Sequence, residues 1–205
     1  MNKAECVDIL IKNLSFAPSG IKKIELYVDL ILKFNKKYNI ISKNTEKDVW
    51  NRHILDSAQI VRFIDFSIDG SLSDLGSGAG FPGIILSIFN TNKNFHVKLY
   101  EKSKIKCNFL RETISKLDLN AKVLESDINK ERIKSNYFVC RAFKKLDKLM
   151  LISREIAIKP YKMIVLKGKN AQEDVNKALK KVSFKYKIES SITDKESKIL
   201  LIDES

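Results

Sequence analysis

The chain has 205 residues, of which 44% are hydrophobic and 31% charged, and it carries a formal net charge of +13. That length buries one sizeable core and leaves two full domains cramped, and the balance of apolar and charged residues excludes a disordered or membrane class. The charge is uneven: residues 1–70 hold 11 Lys+Arg against 9 Asp+Glu, whereas residues 71–205 hold 27 against 16.

Two explanations fit the excess: a polyanionic partner, or a lysine-heavy composition spread over solvated faces. Residues Met1–Asp8 carry acids where a signal peptide needs an apolar core, and no apolar run approaches membrane-spanning length, so a cytoplasmic protein without a membrane partner is expected. Cys6, Cys107 and Cys140 lack metal-type spacing and are expected as buried free thiols, with no metal site.

Residues 1–70 read as a helical extension and 71–205 as one compact core. Ser19 is placed as the N-cap of a helix whose Ile21, Ile24, Val28, Ile31 and Tyr38 recur at helical spacing. Phe34–Ser42 is expected to turn the chain, and a second helical stripe runs through Trp50, Ile54, Leu55, Ala58, Val61 and Ile64. From Ser71 onward strands alternate with helices. Strands are predicted at Ser71–Leu75, Phe95–Tyr100, Ala121–Leu124, Tyr137–Arg141 and Lys162–Leu166. Helices are predicted at Gly83–Phe89, Ser103–Leu117, Leu146–Ile158 and Ala171–Val182. That rhythm predicts a parallel sheet covered on both faces, closed by an antiparallel hairpin of Phe184–Ile188 and Ile199–Ile202.

Four of the seven glycines fall within Asp74-Leu75-Gly76-Ser77-Gly78-Ala79-Gly80-Phe81-Pro82-Gly83. Such a turn lets backbone N–H groups approach a ligand closely. The stretch reads either as the acid-x-Gly-x-Gly-x-Gly loop of S-adenosylmethionine enzymes or, over Gly78–Gly83, as a dinucleotide loop. Glu101, 21 residues after Gly80, can accept ribose hydroxyls in both. The long helical stretch before the loop, and the lack of a second domain after it, favour S-adenosylmethionine. A nicotinamide-dependent oxidoreductase and a non-catalytic RNA-binding protein remain as alternatives. His53 and Asp56, three apart, could satisfy each other on one helical face. Asp56 could also pair with Arg52, and Asp74 could brace the loop without touching a cofactor.

The chain resembles the bacterial 16S rRNA 7-methylguanosine methyltransferases called RsmG or GidB. The resemblance rests on Phe34–Ser42, Arg52-His53-Ile54-Leu55-Asp56-Ser57, Asp74–Gly83, Glu101 with Lys106 and Phe109-Leu110-Arg111, Arg141-Ala142-Phe143 and Leu166-Lys167-Gly168. It implies a class I S-adenosylmethionine-dependent methyltransferase: a Rossmann-like, mostly parallel sheet of seven strands with an antiparallel C-terminal hairpin and an N-terminal helical extension. The implied activity is methylation of the position-seven nitrogen of a guanine in the 530 loop of 16S rRNA, by a monomer whose partner is that RNA or the small ribosomal subunit. Gly76 and Phe81 are expected on the methionine and ribose side of the cofactor, Glu101 on the ribose, Ile128 and Asn129 at the adenine, and Arg141 beside the reacting groups. Asp74, Gly78 and Gly80 complete the expected cofactor set; His53 and Lys167 join Arg141 as catalytic candidates. Asn129 stands where the family often has an acid. The target nitrogen carries no proton at neutral pH, so the chemistry asks for positioning rather than a general base.

Overall fold

The structure, a computed structural model, describes residues 1–141 and 144–205. Ala142 and Phe143, part of one resembling motif, lie outside the described residues.

Helices α1 (Lys3–Lys12) and α2 (Pro18–Tyr38) open the chain. Short turns of α, π and 3-10 type follow at Lys43–Glu46, Trp50–Leu55, Asp56–Ala58 and Gln59–Phe63. Then come β1 (Gly70–Leu75), α3 (Gly83–Phe89), β2 (Phe95–Glu101), α4 (Lys104–Leu117) and β3 (Ala121–Glu125). The remainder is β4 (Tyr137–Arg141), α5 (Leu146–Ile156), β5 (Tyr161–Lys167), α6 (Ala171–Leu179), β6 (Lys185–Ser190) and β7 (Lys198–Glu204).

The seven strands order as β3-β2-β1-β4-β5-β7-β6, with β7 antiparallel to both neighbours. The order reverses between β1 and β4, where open sheets of this kind gather ligands at their carboxyl ends. One face buries Leu72, Val97, Leu99, Val139 and Ile164 in the same core as Ile24, Tyr27 and Ile31 of α2 and Ile84 of α3. The other buries Leu75, Phe138, Met163 and Leu200 with Leu149 of α5 and Val175 of α6. Among the described residues no helix is long and apolar enough to cross a membrane.

The seven-stranded, hairpin-closed sheet expected from the sequence is observed, and its strand ends shift by a few residues at most. Local features differ for identifiable reasons. Ala17, not Ser19, is the N-cap of α2, because Pro18 starts the helix with a preset φ and no N–H to satisfy. The turn expected over Phe34–Ser42 is confined to its end. There Asn39 takes φ 45°, and the Asn35 side chain accepts from the Ile41 N–H at 2.9 Å. Ile54, Leu55, Ala58, Val61 and Ile64 of the second stripe are buried and Trp50 is half-buried, yet the stripe winds through π, α and 3-10 turns rather than one α-helix. α5 ends at Ile156 because Ala157–Ile158 pair with Ile133–Lys134 as a separate two-stranded ribbon.

The fully buried Tyr27 hydroxyl donates to the Ala79 carbonyl at 2.6 Å, tying α2 to the glycine loop. Tyr27→Phe is expected to lower the unfolding free energy by about 1 kcal/mol, leaving an unpaired buried carbonyl. An unchanged urea midpoint would contradict that latch.

Candidate active site

The loop between β1 and α3 is held from below. The N–H groups of Gly76 and Ser77 both donate to the Tyr100 carbonyl, at 2.9 and 3.0 Å. Asp74 is fully buried; its Oδ2 accepts from the Gly83 N–H at 3.0 Å while its Oδ1 has no partner. Burial pushes this carboxyl up to about 7. At Gly80, φ is 104° and a Cβ would come within 2.5 Å of Ile84 Cγ1 and 2.7 Å of the Tyr27 hydroxyl. Phe81 is buried too, stacked beneath His53 with ring centroids 5.0 Å apart and 22° between planes. Asp74, Gly80 and Phe81 are therefore enclosed supports that brace the loop from the protein side.

Gly78 is different. Its φ is 60°, and the nearest atom to a Cβ there would be the Gly76 carbonyl at 3.9 Å, so the loop's outer face is open to a ligand. It forms one wall of a cleft of about 320 Å³ with Gly76, Tyr100, Glu101, Ile128 and Asn129. Glu101 Oε1 accepts from the N–H groups of Lys102 and Ser103, and Oε2 from that of Gly78 at 2.9 Å. The carboxylate is thus fixed at the end of β2 with lone pairs to spare for ribose hydroxyls. Ile128 supplies a buried apolar contact on the 3-10 turn Ile128–Lys130. Asp127 Oδ1 accepts from both the backbone and side-chain N–H of Asn129, at 3.2 and 2.6 Å, leaving the Asn129 amide oxygen for a ligand. Sequence reasoning missed Asp127, although Asp-x-Asn is a recognisable Asx turn.

A second cavity of about 600 Å³ adjoins the first, and Lys144 lines both. Here the structure gathers Arg141, His53 and Lys167. Arg141 Nη1 donates to the Arg52 carbonyl at 2.9 Å and lies 3.6 Å from Asp56 Oδ2. Its Nη2 meets His53 Nδ1 at 2.6 Å, and the guanidinium sits 5.0 Å over the Phe81 ring. A guanidinium only donates, so Nδ1 accepts and Nε2 carries the proton, which it donates to Thr45 Oγ1 at 2.8 Å. Burial, then the Arg141 and Arg52 charges, hold His53 down at about 3. Burial alone draws Arg141 below the ordinary arginine value, with Asp56 opposing it.

The Asp56 carboxylate is drawn to Arg141 rather than to either helical neighbour, His53 or Arg52. Besides Arg141, its Oδ1 accepts from Gln59 at 3.0 Å and from the Thr193 hydroxyl at 3.2 Å, pinning the loop between β6 and β7 to the helical extension. Lys167 pairs with Asp174 at 2.5 Å. Among the described residues no group of His, Cys, Asp and Glu could hold a metal.

The family model for rRNA small subunit methyltransferase G, GidB, matches residues 20–202. The chain belongs to the GidB family. A ribosomal RNA small subunit methyltransferase G from Rickettsia bellii (strain OSU 85-389) is 39% identical over 184 residues, covering 90% of this chain and 93% of that one. Its counterpart from Rickettsia typhi (strain ATCC VR-144 / Wilmington) is 41% identical over 184 residues, covering 89% and 93%. A SAM dependent methyltransferase from Aquifex aeolicus shares the fold, with a TM-score of 0.59 at 15% identity over 73% of this chain and 89% of that one. Membership of GidB decides between the two readings of the loop. The cofactor is S-adenosylmethionine, and the nicotinamide alternative falls.

The neutral His53 makes folding sensitive to acid. Its folded pKa lies below the unfolded value, so its contribution is present above pH 6.5 and is lost as pH falls towards 3. Between pH 7 and pH 5 the protein should lose about 2 kcal/mol more unfolding free energy than a His53→Gln variant, by urea titration. Parallel losses would show that His53 is not held neutral.

Proposed function

We propose that this GidB-family chain transfers the methyl group of S-adenosylmethionine to the position-seven nitrogen of a guanine in the 530 loop of 16S rRNA. In this reading it works as a cytoplasmic monomer on the RNA or on the small ribosomal subunit. The observation that carries the reading is the state of the site's imidazole. Both ring nitrogens of His53 are engaged and its basicity is suppressed, so the site offers no free histidine to take a proton. The seven nitrogen of guanine needs none, because its lone pair is unprotonated at neutral pH.

The bound cofactor supplies an electrophilic methyl on a sulfonium. As the N–C bond forms the S–C bond breaks, and the positive charge passes from sulfur to the purine with no proton transferred. The chain's part is to hold the two reactants in line. Gly76, Gly78, Glu101, Ile128 and Asn129 hold the cofactor at the carboxyl ends of β1, β2 and β3. The adjoining cavity has walls of mixed charge, with Asp48, Asp194 and Glu196 beside Arg52 and Lys169, and the two cations are the groups suited to the phosphates that flank a target base.

With labelled S-adenosylmethionine and small subunits lacking the mark, label should appear on the seven nitrogen of one 530-loop guanine. Gly78→Val, which fills the open face of the loop, should cut transfer by about 10²-fold or more. Label on another nucleotide, or none where a relative succeeds, would overturn the reading.

A further inference from the structure

Helices cover much of both faces of the sheet, and the second face is open at its β1–β3 end. α3 and α4 pack on one face, α5 and α6 on the other. The crossover from β3 to β4, however, holds only a three-residue 3-10 turn and the short strand Ile133–Lys134. The amino ends of β1, β2 and β3 therefore stay bare on the second face, as a groove of about 710 Å³. Strands buried on both faces run apolar throughout, whereas β2 alternates as Phe95-His96-Val97-Lys98-Leu99.

The register sets Ser73 beside Lys98 and Lys98 beside Lys122 on one face of the sheet; Ser73 is buried against Ser135, while Lys98 and Lys122 line the groove. Lys98 is half-buried; its ammonium donates to Ser71 Oγ at 3.4 Å and to the Lys134 carbonyl at 3.2 Å. Burial lowers its proton affinity. No carboxylate forms an ion pair with Lys98, Lys122 or Lys134 among the described residues. The acid on the groove wall is Asp69, and Lys159 is already paired with Glu204. Lys98 and Lys122 are register partners on adjacent strands, and like charges at paired positions disfavour one another. An anion between them would relieve that repulsion.

We propose that this groove is a phosphate-binding site separate from the cofactor cleft, which lies at the opposite ends of the same strands, roughly 20 Å away. Its ligand is a phosphate group, contributed either by an RNA backbone reaching round the sheet edge or by a free phosphate ion. The site stands on its own geometry and not on the identity of the methylated base.

The test compares the full-length protein with a Lys98→Met, Lys122→Gln variant. Neither residue lines the cofactor cleft or its neighbour, so S-adenosylmethionine affinity and kcat should be unchanged, and the melting temperature at low salt should not fall. If RNA is the source, binding to small subunits should weaken, with the slope of log affinity against log salt shallower by about 1.4, since each phosphate that is no longer neutralised takes away about 0.7. If the source is the free ion, subunit binding should be unchanged while inorganic phosphate binds the wild type and not the variant, by calorimetry. Equal binding of both probes by both proteins would overturn the site. Because these are binding readouts, they remain interpretable even if methyl transfer to guanine is not observed.

Discussion

The Arg141 guanidinium holds the site together. It closes on the Arg52 carbonyl, His53, Asp56 and the face of Phe81, groups drawn from the helical extension and the glycine loop, while its own backbone ends β4 at the point where strand order reverses. A single side chain thereby fixes the extension against the carboxyl edge of the sheet. Arginine suits the place because its planar fork donates in fixed directions and its flat face lies on an aromatic ring, a geometry that a compact lysine ammonium lacks. Charge is also balanced locally, since Asp56 lies within ion-pair distance of an otherwise buried cation.

The same contacts constrain the chemistry. Both terminal nitrogens of Arg141 meet protein groups, so the guanidinium orders the site. It also locks one tautomer of His53 and keeps that ring neutral. Beneath, Asp74 and Gly80 brace the loop, and Tyr27 latches it to α2. The loop is thus rigid from behind and open in front at Gly78. Such a division of labour suits catalysis by positioning, in which the rate depends on geometry set before the reactants meet.

The alternating architecture is legible in the sequence because strand and helix periods differ, and because glycine concentrates where β1 turns into α3. Glu101, Ile128 and Asn129 meet in one cleft because each lies at or just past the carboxyl end of β2 or β3. The loop motif cannot tell which of its members face a ligand and which face the core. That depends on φ and on atoms of α2, some fifty residues upstream. The pairing of Asp56 is hidden for a similar reason: helical spacing offers His53 and Arg52, yet its partners Arg141 and Thr193 arrive from the sheet and the last hairpin. The π turn at Trp50–Leu55 has no sequence period of its own and coincides with the segment Arg141 grips. In β2, by contrast, the lysine at position 98 marks an uncovered face, a signal visible only once the strand is set in a parallel sheet.

The most direct test of this account is a crystal structure of the protein soaked with S-adenosylmethionine. The account predicts adenosine along Gly78, Glu101 and Ile128, with the methyl group directed past Lys144 into the cavity that holds Arg141 and His53. A cofactor bound elsewhere, or one whose methyl group points away from that cavity, would contradict it.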